Sequence, residues 1–128
     1  MNLGSSIFLV AGGILFLLFF GLPLLISPMF WARTIGWKIP EDTDLANYLG
    51  RSLGGVVIPV IIVSFMAARS PYEFRIVFDL IMLIAVFMVF VHLYGFIRKK
   101  QPLIEHLEII LYSVLAFLTW FFYPVPPM

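Results

Sequence analysis

Between Ile7 and Ile26 the chain carries no charged residue. An apolar run of about 20 residues is what a helix needs to cross the roughly 30 Å hydrocarbon layer of a bilayer. Three further runs follow, at Leu49–Ala68, Phe74–Ile97 and Leu103–Tyr123. Lipid accepts backbone polar groups only when they are bonded internally, so each run is expected to be a helix. Composition agrees: 62% of the 128 residues are hydrophobic and 12% charged, against about 25% charged in soluble chains. A water-soluble globule of this size exposes too much surface to hide so much apolar area. The expectation is an all-α fold, a four-transmembrane-helix bundle forming one integral membrane domain over residues 1–128. A cleaved signal peptide is the alternative for the first run. No basic residue precedes it, however, and Ser27-Pro28-Met29 makes a poor cleavage site.

The links between runs two, three and four are short, which forces antiparallel neighbours. Pro102 suits the first turn of the fourth helix, where a missing N–H costs nothing. The longer link from Ser27 to Asn47 has signals of its own. Ser27 as N-cap, Pro28 at N1 and Gly36 as the stop predict a short helix over residues 29–35. Phe30, Trp31 and Trp37 interleave with Arg33 and Lys38, the mix of a helix lying in the headgroup layer. Pro23 and Pro59 are expected to kink their helices. The tail Pro124–Met128 cannot be helical and is expected to lie along the outer surface. Arg33, Lys38, Arg51, Arg98, Lys99 and Lys100 fall on one side, and only Arg69 and Arg75 on the other. The positive-inside rule then puts the first and third loops in the cytoplasm, and both termini outside it, in a bacterial inner membrane.

Ionisable residues at membrane depth call for a partner or a purpose. Asp79 follows Arg75 by four positions, the spacing of a helix ion pair, with Ser64 as a further donor. At the basic end, Glu105, Glu108 and Tyr112 share one helix face at i, i+3 and i+7. Arg51, His92 and Tyr48 fall at the same depth. These six residues make a candidate ligand pocket, with Arg51 meeting the anionic or carbonyl end of a headgroup; the bland alternative is a ring of solvated interfacial charges. Metal is not expected, because Glu105-His106-Leu107-Glu108 lacks the paired Glu-x-x-His motifs of di-iron bundles. Haem is not expected either, since His106 lies almost opposite Glu108 on its helix. Gly50 and Gly54 form a small-xxx-small pair that brings helix backbones together, within the chain or across an oligomer.

Trp31-Ala-Arg33-Thr-Ile-Gly-Trp37-Lys-Ile-Pro40 and Tyr48-Leu-Gly-Arg51-Ser-Leu-Gly54 resemble the first loop and second helix of small four-span DoxX-like bacterial membrane proteins. The resemblance covers about a quarter of the chain. It implies a four-helix bundle and transfers no catalytic residue, because fold does not settle function.

Other classes fall away. The absence of cysteine removes thiol redox chemistry, Fe–S clusters and cysteine nucleophiles. A net charge of +1 argues against nucleic acid as a partner. In length and span count the chain resembles small four-helix multidrug exporters, but those carry a membrane-embedded glutamate in their first helix and the first run here has no ionisable residue; no run has the polar stripe of a pore. Ser64 and His92 lie near opposite boundaries and make no nucleophile–base pair. Two readings survive. The sequence favours a non-catalytic subunit or assembly factor of a larger membrane complex, docking through glycine seams and aromatic faces against other subunits or a second copy. The alternative is a lipid-, quinone- or isoprenoid-binding membrane protein or enzyme with a polar pocket in the inner leaflet.

Overall fold

Pro23 shapes the first span. A proline has no N–H to offer the carbonyl four residues earlier, here that of Phe19, and its ring crowds that carbonyl. In the computed structural model, which describes residues 2–126, the span Leu3–Ile26 is α-helical to Phe16 and widens into a π turn over Leu17–Gly21. It resumes as α-helix over Leu22–Ile26. The Phe19 carbonyl accepts a hydrogen bond from the Trp31 indole N–H at 2.8 Å. Trp31 belongs to the short helix Pro28–Thr34, whose start follows Ser27 in a non-helical conformation (φ −144°, ψ 72°). The helix begins one residue earlier and ends one earlier than expected, and Ser27 makes no side-chain cap bond.

Gly36 ends this short helix as the sequence indicates. Its φ of +95° is a conformation open to glycine and strained for residues with a Cβ. It places the Gly36 N–H 3.1 Å from the Arg33 carbonyl and the Trp37 N–H 3.0 Å from that of Ala32. These are the paired bonds of a Schellman ending. The turn aims Trp37 back across the molecule. A Cβ on Gly36 would touch Pro102 at 3.4 Å, so the first and third loops pack together.

The second span, Asp44–Ala67, begins five residues before the expected Leu49. Its first turn extends past the apolar run, and Asp42 accepts a bond from the Asp44 N–H at 3.0 Å as it starts. Pro59 lies inside this helix without interrupting it. The glycine seam joins this span, inside the chain, to the first span and to the short helix that follows it. A Cβ on Gly54 would sit 2.6 Å from the Leu25 backbone nitrogen and 3.0 Å from the Gly21 carbonyl oxygen, and one on Gly50 would collide with Pro28. From the other side, Gly13 receives the ring of Phe65.

The third span is Ile76–Ile97, and the fourth runs over Leu103–Phe121. Pro102 stands just ahead of the fourth, with extended ψ of 158°, and not inside its first turn. That first turn is a 3-10 turn, Leu103–Glu105, followed by α-helix from His106. Spans one and two make one tight hairpin, and three and four another. Spans two and three scarcely touch. At the end carrying Asn2, the hairpins are joined by Phe8, which stacks on both Phe78 and Phe122. The Ser5 hydroxyl donates to the Phe122 carbonyl at 2.8 Å. Asn2 and Val125 exchange two hydrogen bonds of 3.0 Å. The tail is non-helical over Pro124–Pro126; Pro127 and Met128 lie outside the described residues.

Four helices are long and apolar enough to cross a membrane, and the protein is an integral membrane protein with no strand among the described residues. The outer surface is apolar, with Leu103 80% exposed and Phe30 69%. In lipid such a surface carries no penalty, whereas in water it is an aggregation face.

Candidate functional site

Two features lie together in the bundle, an apolar cleft and a buried polar cluster at the basic end. The cleft has a volume of about 300 Å³ and is lined from all four spans. Gly12 and Phe16 come from the first span, Val57 and Ile61 from the second, Met88 from the third and Tyr112 from the fourth. That volume is at the lower end of small-molecule sites, which run from about 300 to 1,000 Å³. The mouth opens where the second and third spans part, beside the exposed Leu53, Val56 and Ile84. Of its two hydroxyl-bearing lining residues, Ser64 donates to its own helix at the Val60 carbonyl, 2.8 Å away. Tyr112 is the other, and its ring stacks on His92 at 5.5 Å and 17°.

Behind Tyr112 lies the polar cluster. His92 is 7% exposed and Glu105 5%. His92 Nδ1 stands 3.3 Å from Glu105 Oε2, and Nε2 stands 3.0 Å from Glu108 Oε2. Despite these distances, neither ring nitrogen forms a hydrogen bond, because a ring N–H requires its acceptor near its own axis. The two glutamates converge because the 3-10 turn and the first α turn place positions 105 and 108 on one face, at a helix N-terminus that favours negative charge. Glu105 is held by Trp37, whose indole N–H donates to its Oε1 at 2.7 Å. The backbone is braced by Gln101, whose amide donates to the His92 carbonyl at 3.2 Å and whose side chain occupies the space a Cβ on Gly95 would need.

Of the six residues expected to form a pocket, His92, Glu105, Glu108 and Tyr112 come together. Arg51 and Tyr48 do not. Tyr48 is 69% exposed, and both line a shallow surface groove with Asp44, Asn47 and Ser52. The reason is rotational: Gly54 faces the first span and Gly50 faces Pro28 of the short helix, and one position beyond Gly50 the helix has turned Arg51 about 100° off that seam. No lysine or arginine pairs with Glu105 or Glu108 among the described residues. His106 packs edge-on against Phe96 at 4.8 Å. Trp37 is the residue that sequence reasoning missed, since nothing in a separation of 68 positions signals the contact.

The expected Arg75–Asp79 ion pair also gives way. Asp79 accepts from the Tyr123 hydroxyl at 2.8 Å. Arg75 instead donates to the Tyr72 carbonyl at 3.2 Å and lies over the Tyr72 ring, 5.0 Å from its centre. Arg75 falls in the turn before the third span and Asp79 in its first turn, so the guanidinium finds nearer partners in the loop. Ser64 bonds its own helix, as above, and not Asp79. The Asp79 carboxylate holds the Tyr123 proton and pushes that phenol above its ordinary value.

Comparison of the chain with known protein families, with curated proteins and with solved structures finds no match. The chemistry of the site therefore rests on its own geometry.

Proposed function

We propose that this integral membrane protein binds an apolar-tailed ligand of the lipid, quinone or isoprenoid class, taken sideways from the bilayer into the cleft between its two hairpins. The observation that supports this is the cleft itself. It is apolar along its walls, rimmed by lipid-facing residues, and ends on Tyr112 with buried polar groups behind. Sites for small molecules combine a mostly apolar wall with a few placed polar groups. The competing role as a subunit of a larger complex drew on aromatic faces, which are exposed here as lipid-facing surface also is, and on Gly50 and Gly54 as a docking seam. Both glycines are already in contact with Pro28, Gly21 and Leu25 of the same chain. In this reading the polar cluster lies at the cytoplasmic face of a bacterial inner membrane, because Arg33, Lys38, Arg98, Lys99 and Lys100 flank it. Both termini then face away from the cytoplasm.

Gly12 supplies the test. It lines the cleft, and a Cβ added there meets nothing within 4 Å, so Gly12→Phe fills the cleft without disturbing helix packing. Native mass spectrometry of gently extracted protein should find one apolar-tailed molecule per chain. In Gly12→Phe that occupancy should fall by about tenfold or more, a loss of roughly 1.4 kcal/mol in binding, with equal melting temperatures once both proteins are stripped of ligand. Equal occupancy in both proteins, or a wild-type protein that carries larger subunits at fixed stoichiometry and no ligand, overturns the proposal.

A further inference from the structure

Two carboxylates, Glu105 and Glu108, stand at the basic end of the bundle without a lysine or arginine partner among the described residues. Arg51, the cation expected to neutralise them, lines a separate surface groove. Buried carboxylates without a compensating positive charge are strongly destabilising. Between them lies His92, 93% buried by its 7% exposure, with both ring nitrogens short of any hydrogen bond. Two carboxyl groups without a lysine or arginine partner and an imidazole with neither nitrogen hydrogen-bonded meet at one point, and a bound cation would satisfy both together.

We propose that His92, Glu105 and Glu108 bind one divalent first-row transition metal ion, of the zinc class. One imidazole nitrogen and two carboxylate oxygens suit a borderline ion, whereas calcium and magnesium prefer all-oxygen sets. The three potential ligand atoms lie within 4.8 Å of one another. The 3.0 Å between His92 Nε2 and Glu108 Oε2 is a few tenths of an ångström short of the roughly 3.3–3.6 Å that neighbouring ligands span on a tetrahedral ion with bonds of about 2.0–2.2 Å, so the two atoms part slightly to admit it. Glu105 offers the third ligand through Oε2, while the Trp37 N–H on its Oε1 orients that carboxylate as an outer hydrogen bond orients a metal ligand. Three protein ligands leave a coordination position open, which is the arrangement of sites that bind a further molecule and not of closed structural ones. This inference stands on the polar cluster alone and is independent of the cleft.

The test uses the full chain in detergent micelles, stripped with chelator and titrated with Co²⁺, then with Zn²⁺. Wild-type protein should take up one equivalent of Co²⁺ with visible d–d absorption, and Zn²⁺ should displace it. His92→Gln and Glu108→Gln should each weaken binding by about tenfold or more. Glu41→Gln combined with Asp42→Asn, in the exposed acidic loop, should leave it unchanged. If His92→Gln does not fold, the wild-type protein still decides. The chain has two histidines, so nitrogen hyperfine coupling in the Cu²⁺ electron paramagnetic resonance spectrum that persists in His106→Gln assigns the ligand to His92. The proposal is overturned if wild-type binding does not saturate at one equivalent. It is equally overturned if binding survives His92→Gln, if it disappears with the acidic-loop variant, or if the nitrogen coupling disappears with His106→Gln.

Discussion

Trp37 shows how one residue ties the site to the rest of the chain. Its indole N–H reaches Glu105 at 2.7 Å only because Gly36, at φ +95°, reverses the chain immediately before it. Hydrogen bonds to charged groups contribute about 1.5–3 kcal/mol, and a buried acceptor left bare loses that in full. Trp37→Phe keeps the aromatic ring and removes the donor. It should lower unfolding stability in micelles by about 1.5–3 kcal/mol, read as the midpoint of denaturant-induced unfolding. An unchanged midpoint would show that Glu105 is satisfied by other means. At this scale the sequence was partly legible. Glu105, Glu108 and Tyr112 were readable as a face because helical spacing is local, and His92 followed from its depth in the third run. Arg51 was not readable, because hydropathy gives a residue's depth in the membrane and says nothing of how its helix is rotated. Two glycines one turn apart decide that rotation, and the same glycines were open to being either an inner or an outer seam.

The first span carries the lesson at the scale of the element. Its apolar length was plain in the sequence, and so was the proline. The π turn over Leu17–Gly21 was not, since its form depends on a partner twelve positions away. Trp31 donates to the Phe19 carbonyl at the position that Pro23 leaves without its helical N–H. Trp31→Phe strips that donor from a carbonyl at membrane depth, where water is not at hand to replace it. The expected cost is about 1–2 kcal/mol, with amide hydrogen exchange accelerated over Leu17–Leu25 and unaltered in the fourth span. Exchange that stays uniform would separate the bond from the shape of the turn. The second span differs from expectation for another reason. Hydropathy measures the thickness of the hydrocarbon, so it begins the span at Leu49. The helix itself continues to Asp44, beyond the apolar run, where Asp42 receives its first N–H.

For the whole molecule, the division into two hairpins governs both stability and access. The tight joint between spans one and two depends on Gly54, where a Cβ would come within 2.6 Å of the Leu25 backbone nitrogen. Backbone cannot yield as a flexible side chain does, so Gly54→Leu should cost more than about 3 kcal/mol. Its loss of folded protein on size-exclusion chromatography should contrast with the folded, cleft-filled Gly12→Phe. Folded Gly54→Leu protein at wild-type yield would mean that the two spans part more easily than their packing indicates. The loose joint lies between spans two and three, and no feature of either helix alone announces it. It follows from how far the aromatic stack of Phe8, Phe78 and Phe122 holds the hairpins together at one end, and the Trp37–Glu105 bond at the other. The bundle is thus fastened at its top and bottom, joined at mid-height by Phe16 against Tyr112, and loosely closed at the waist between spans two and three. If the proposed ligand enters there, its traffic is two-dimensional. A guest's occupancy would follow its mole fraction in the surrounding leaflet and not its concentration in water, and diluting the membrane with fresh lipid would empty the protein where washing with buffer would not.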